Sequence, residues 1–326
     1  MATFRILAID GGGIRGIIPA VFLAKIAERL GSSGIDEKFD LIAGTSTGSL
    51  IASVAAMGTD INSSVDFYKK LGPKIFPPGT TQRRPFKWMD ALSFAPAYTE
   101  DNLSDSLQKL FGLTGVLSDA KTRLLISSYD VFHRQIYLMK SYEGDGTSIP
   151  FWEACKASCS APSYFPAHIL KSGGITRPLI DGGVFCNNPA MMAVAEAVRI
   201  RNKESIRDLQ REDKIVLISL GTGNLMRKIS AEDARTWGSL RWAKPIIDVL
   251  FDGASEVAHL TARQIVTTSN YVRLQVDLSE VNEDLDDASP ENISALFDLA
   301  NTYIQSEEVS QKIDHIVNLL GDSPAA

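Results

Sequence analysis

Ser46 stands in Gly44-Thr45-Ser46-Thr47-Gly48, directly after the run Phe39-Asp40-Leu41-Ile42-Ala43. G-x-S-x-G in that position reads as a nucleophile elbow, a sharp strand-to-helix turn that lifts a serine hydroxyl into the open. Gly44 and Gly48 flank the serine because the turn forces the backbone against its neighbours and a Cβ would clash. A second glycine-framed segment, Asp10-Gly11-Gly12-Gly13-Ile14-Arg15-Gly16, follows Phe4-Arg5-Ile6-Leu7-Ala8-Ile9. It supplies a row of unhindered backbone N–H groups able to receive the oxyanion that develops when an acyl carbonyl is attacked. The third piece is Asp181-Gly182-Gly183, a carboxylate at the end of the strand-like Leu179-Ile180. The chemistry these segments suit is acyl transfer through a serine.

Two competing readings bear on the same residues. Gly11-x-Gly13-x-x-Gly16 between a strand and a helix also satisfies the dinucleotide fingerprint, which requires an acid at the end of the second strand for a ribose hydroxyl. The second strand ends in Ala43-Gly44-Thr45-Ser46 with no acid, and Asp10 would meet a pyrophosphate with like charge. The serine also needs a base. The ordinary hydrolase order places an acid and then a histidine after it. Of His133, His168, His259 and His315, the last two follow Asp181 but sit inside predicted helices, and His168 lies in a loop after Pro166. Asp181 opens a Gly-Gly turn before Asn187-Asn188-Pro189 and is expected to project from the carboxyl edge of the sheet that also carries Ser46.

The elements that position these segments alternate between strand and helix, which predicts an α/β layer architecture with a largely parallel central sheet. Strands are predicted at Phe4–Ile9, Phe39–Ala43, Arg123–Ser127, Gln135–Lys140, Pro178–Ile180, Lys214–Leu220 and Tyr271–Val276. Helices are predicted at Ile17–Leu30, Ser49–Met57, Phe151–Cys159, Pro189–Ile200, Ile246–Val266 and Ile293–Leu320. Leu41–Thr59 carries no charge, yet its glycines and serines fit a strand, turn and helix better than a membrane span. Asp10 interrupts the first apolar run early, so no signal peptide is expected.

With 326 residues, no repeat and no long linker, a single domain over 1–326 is expected, its motifs within about 4–223 and a mostly helical completion over 224–326. A net charge of −6 argues against a general nucleic-acid binder. Cys155, Cys159 and Cys186 cannot form a paired disulfide framework, and no histidine or second cysteine pair completes a metal site. Two segments depart from the average. Phe67–Met89 carries Lys69, Lys70, Lys74, Arg83, Arg84 and Lys87 and no acid, interleaved with prolines and aromatics. It reads as a lid, a membrane-docking loop, or a solvated loop with its aromatics tucked onto the core. Asp277–Glu291 holds seven acids and no base, and reads as a solvated connection.

With these segments in hand the sequence resembles the patatin-like phospholipases. The resemblance runs from Phe4 to about Gly223 and includes, beyond the three segments above, Ser160-Ala161-Pro162-Ser163-Tyr164-Phe165-Pro166 and Ser219-Leu220-Gly221-Thr222-Gly223. It implies a three-layer α/β/α fold, Ser46 as nucleophile and Asp181 as base of a dyad, and Gly11, Gly12, Gly13 and Arg15 as the oxyanion loop. Membrane phospholipid is the implied substrate, and no metal or organic cofactor is required. A further likeness, to phospholipase effectors of bacterial CBASS-type anti-phage systems, implies a cyclic di- or trinucleotide activator. A cytoplasmic protein acting peripherally on the inner membrane is expected, and the sequence leaves open whether it is a monomer or a homo-oligomer. The alternatives are a Ser-Asp-His esterase of α/β-hydrolase type and a catalytically silent binding module.

Overall fold

The run Phe4–Ile9 forms β1, and Ile215–Leu220 forms β7 parallel beside it, every residue of both strands buried. Mostly apolar strands buried at every position belong in a sheet covered on both faces. A computed structural model describes residues 3–77, 96–203, 215–242 and 245–321. The other strands are β2 (Leu41–Thr45), β3 (Arg123–Asp130), β4 (Gln135–Lys140), β5 (His168–Ser172), β6 (Ile175–Asp181) and β8 (Tyr271–Leu274). The helices are α1 (Ile17–Arg29), α2 (Thr47–Ala56), α3 (Asn62–Ile75), α4 (Asp101–Phe111), α5 (Phe151–Cys159), α6 (Gly183–Cys186) and α7 (Ala190–Lys203). They continue with α8 (Ala231–Thr236), α9 (Ser239–Trp242), α10 (Pro245–Ile265), α11 (Pro290–Gln305) and α12 (Glu307–Gly321).

The eight strands make one mixed sheet in the order β5-β6-β3-β2-β1-β7-β8, with β4 on the remaining edge of β3. From β3 to β8 the neighbours are parallel, whereas β4, β5 and β6 form an antiparallel wing. One core layer packs α1, α2, α3, α5 and α11 against the sheet, and α7 with the end of α10 packs on the other face. The fold is therefore α/β with a central sheet between helices.

The register of β3 decides the site. Thr45 of β2 stands opposite Ser127, and Asp181 of β6 stands opposite Ser128. Since β4 fills the other edge of β3 along Leu125–Asp130, β2 and β6 share a single edge and meet end to end. Asp181 is thus brought to Ser46 by an antiparallel strand running toward it. The sequence places both at the carboxyl edge of the sheet; they do meet beside Ser127 and Ser128 toward the carboxyl end of β3, but β6 arrives there antiparallel.

Several other expectations change. His168 lies in strand β5, where Ile169 faces out and Leu170 is buried, an alternation too short to stand out after Pro166. Phe67–Met89 is helical as far as Ile75, with Phe67 and Tyr68 buried and Phe76 against Tyr98 and Phe165; 78–89, with Arg83, Arg84 and Lys87, lie outside the described residues. The helix expected over Ile293–Leu320 is two, broken at the extended backbone of Ser306, after which Glu307 and Glu308 open α12 as acids suit a helix start. Asp277–Glu291 is no solvated connection: Leu278, Leu285 and Ala288 are buried, and Leu285 O accepts the Ile14 N–H at 2.9 Å.

Candidate active site

Ser46 has φ 52° and ψ −130°, a region that costs a non-glycine residue about 1–3 kcal/mol. Packing holds it there. A Cβ on Gly48 would fall 2.3 Å from Ile9 O and one on Gly44 2.5 Å from Gly48 O, so the turn closes only with glycine at both positions. The Ser46 N–H donates to Ser158 Oγ at 2.8 Å, and Ser46 O accepts from both the N–H and the hydroxyl of Ser49. Behind the elbow, Thr45 Oγ1 donates to Cys186 O and lies 2.7 Å from Ser127 Oγ. The serine hydroxyl is thereby fixed at the N-terminus of α2, where the helix dipole favours negative charge.

Beside it, Asp181 is fully buried. Its Oδ1 accepts the Gly183 N–H at 2.7 Å, while Oδ2 has no hydrogen-bond partner. Burial pushes its carboxyl up to about 7; the neighbouring Ser46 hydroxyl and the Gly183 N–H pull the other way but do not offset it. A carboxyl at that value is poised to take and return a proton near neutral pH.

The glycine loop is gripped from both sides by the remaining motifs. Asp10 N–H donates to Leu220 O, and its carboxylate pairs with Arg273 Nη2 at 2.6 Å. Gly11 O accepts from Thr222 Oγ1 at 2.7 Å and from Asn187 Nδ2 at 3.3 Å, and the Gly11 N–H donates to Asn187 O. A Cβ on Gly12 would land 2.3 Å from Thr222 Oγ1. Of the four residues expected in the oxyanion loop, Gly11 and Arg15 have their N–H groups engaged, Arg15 with Gly12 O. No hydrogen bond among the described residues uses the Gly12 or Gly13 N–H. The Arg15 side chain is buried, its Nε donating to Gly12 O, and it braces the loop from within.

Ser46 and Asp181 line a common cavity of about 50 Å³, walled by Ile14, Leu50, Phe67, Ile75, Phe76, Phe165, Phe251 and Leu285. A cavity of this kind, narrow and lined almost wholly by apolar side chains, is shaped for an extended hydrocarbon group. The apolar walls also keep water scarce around the carboxyl. Sequence reasoning missed Ser158, and it missed that the segment after Gly223 supplies Phe251, Leu285 and Arg273; single apolar and basic residues carry no spacing signal. All four histidines are occupied elsewhere: His133 with Asp130, His168 with Glu153, His259 with Tyr271 and His315 with Ser269 O. Among the described residues no cluster of three or more His, Cys, Asp or Glu gathers as a metal site, and no helix is long and apolar enough to cross a membrane.

The sequence pattern of the family described as patatin-like phospholipase matches residues 7–194. Patatin-like protein 1 of Oryza sativa subsp. indica is 34% identical over 312 residues, covering 83% of this chain and 73% of its own. Patatin-like protein 2 of Arabidopsis thaliana is 32% identical over 329 residues, covering 89% and 80%. Among solved structures, VipD from Legionella pneumophila aligns over 96% of this chain and 67% of its own at 14% identity, with a TM-score of 0.46, a distance at which the likeness carries no argument.

Proposed function

As this chain belongs to the patatin-like phospholipase family and is a lipid acyl hydrolase, we propose that Ser46 and Asp181 perform the hydrolysis as a dyad. Asp181 Oδ2 accepts the Ser46 proton as the hydroxyl oxygen attacks the ester carbonyl. The Gly12 and Gly13 N–H groups hold the oxyanion, a donor of this kind being worth about 2.7–4 kcal/mol in other hydrolases. Collapse expels the alcohol, which takes the proton back from Asp181, and leaves the acyl group on Ser46. Water then attacks the acyl-enzyme with Asp181 again as base and releases the fatty acid.

The observation that carries this reading is the unpartnered Oδ2 of a fully buried carboxyl beside the serine hydroxyl. A fully buried carboxyl with one oxygen held by Gly183 N–H and the other turned to the serine hydroxyl fits a proton-transfer role. The occupied histidines count against a Ser-Asp-His esterase, and the free oxyanion N–H groups count against a silent binding module. Labelling with a fluorophosphonate tests the dyad: the expected adduct maps to Ser46 and is absent in Ser46→Ala, and turnover of a short-chain ester by a folded Ser46→Ala protein rejects it.

The proposed substrate is a membrane phospholipid, met peripherally at the inner membrane from the cytoplasm. For the activator we propose a cyclic di- or trinucleotide, whose addition raises liposome hydrolysis; a rate unchanged across a panel of such ligands rejects that control.

A further inference from the structure

We propose that the uncovered face of the antiparallel wing docks the protein on an anionic lipid bilayer. Only the choice of occupant rests on the lipid-hydrolase reading above. The strand pairing sets Ile136, Tyr129 and Ile180 in one row across β4, β3 and β6, with Ile169 and Pro178 paired beside them on the same face. On that face α6 packs at β3 and α7 at β2, whereas α5 covers the opposite face, where Leu170 and Leu179 are buried. Three large apolar side chains are left out: Ile169 51% exposed and Ile136 46% on this face, and Phe132 73% at the β3–β4 turn. Such a concentration on two neighbouring hairpins is more than scattered surface hydrophobics explain.

Direction and charge choose the occupant. β3 runs three residues beyond Ser127, the partner of Thr45, and the β5–β6 turn lies farther out still, so both hairpin tips project past the edge that carries Ser46. The strand β6 itself ends in Asp181. A bilayer met by these tips therefore lies on the side of the site. Although the whole chain is acidic at −6, neither 131–142 nor 154–180 contains a single Asp or Glu. The neighbouring acids are engaged: Asp130 with His133, Asp145 with Arg177 and Glu153 with His168. Arg134 and Lys171 are exposed at the two hairpins. Apolar side chains that enter the acyl boundary with cations at headgroup level are the arrangement of an interfacial anchor. Helix α10 also exposes an apolar stripe, including Val257 and Leu260, but the exposed acids Asp252 and Glu256 share the row that ends at Leu260 and would repel an anionic surface.

The test is co-sedimentation of the full chain with vesicles of phosphatidylcholine alone or mixed with phosphatidylglycerol, alongside hydrolysis of a soluble monomeric short-chain ester. Wild-type protein is expected on the mixed vesicles in preference to the neutral ones. Ile136→Asp/Ile169→Asp should lower vesicle partition by at least about tenfold. Arg134→Ala/Lys171→Ala should lower it roughly fivefold for each cation lost. Both variants should keep the soluble-ester rate, which also reports that they are folded; if the isoleucine pair does not fold, the cation pair decides alone. Both variants binding as well as wild type, equal wild-type binding to the two vesicle types, or a wild-type dimer that the isoleucine variant dissolves would each overturn the proposal, the last by giving the face to a second copy. Vesicle binding without any soluble-ester hydrolysis supports the docking face and instead removes the dyad reading.

Discussion

Ser158 Oγ accepts the backbone N–H of Ser46 at 2.8 Å and donates its own hydrogen bond to Ser127 O at 2.7 Å. One hydroxyl, itself without exposure, therefore ties the strained elbow to α5 and to the strand that aligns Thr45 with Asp181. The position of Ser46 thus depends on a buried residue that does not line its cavity.

Ser158→Ala leaves the Ser46 N–H and Ser127 O buried without this partner. The expected loss of stability is about 1–3 kcal/mol. Because the hydroxyl of Ser46 drifts while the apolar cavity stays, kcat should fall by up to roughly a hundredfold with KM little changed. Thermal unfolding and steady-state kinetics on a short-chain ester check both; an unchanged kcat would show that Ser158 has no positioning role.

Asp181 titrates near 7 in the fold against 3.8 ordinarily, so the native state favours its protonated form. The stabilisation is complete below about pH 4 and disappears as pH rises through 7, beyond which the buried charge costs up to roughly 4 kcal/mol. Asp181→Asn should accordingly be inactive yet more stable than wild type at pH 8, with the advantage gone at pH 4. In wild-type enzyme kcat/KM should climb with pH and level off near 7. Denaturant melts at the two pH values and a pH–rate profile provide the readout.

Gly12→Ala drives a Cβ into Thr222, whose Oγ1, Cβ and Cγ2 would stand 2.3, 2.6 and 2.9 Å away. The loop must shift, and with it the N–H groups left free for an oxyanion. A fall in kcat of roughly 100-fold or more is expected. Thr222→Gly removes all three obstructing atoms and should restore part of the rate in the double variant, a coupling that a double-mutant cycle measures.

His259→Ala and His315→Ala should each retain most activity toward a short-chain ester. Their ring nitrogens are spent on Tyr271 and Ser269 O, and neither ring lines the cavity of Ser46. Abolished hydrolysis in a folded His259→Ala protein would replace the dyad with a triad.

Glycine-framed turns were legible in the sequence because their requirement is local: Gly48 faces Ile9 O at a distance no Cβ survives, and only glycine satisfies it. β1, β4 and α5 were legible in full because their runs carry a clear period or unbroken apolarity. What stayed hidden depends on pairing. That β6 runs antiparallel and meets β2 on one edge of β3 follows from registers among residues about 50 to 80 positions apart, and nothing in Ile175–Asp181 states its direction. Phe251 was hidden for the same reason, since one aromatic on an amphipathic helix does not announce which cavity it closes.

The end-to-end meeting of β2 and β6 sets an order of events during synthesis. Ser46 leaves the ribosome 135 residues before Asp181, a delay of roughly seven to thirty seconds at ordinary elongation rates. On the proposed dyad, the emerging polypeptide carries through that interval a hydroxyl with no base, and any stretch of it that has already condensed cannot attack an ester. The same dyad would make the protein harmless while it is being made, armed only when a strand from the middle of the chain closes the gap on β3.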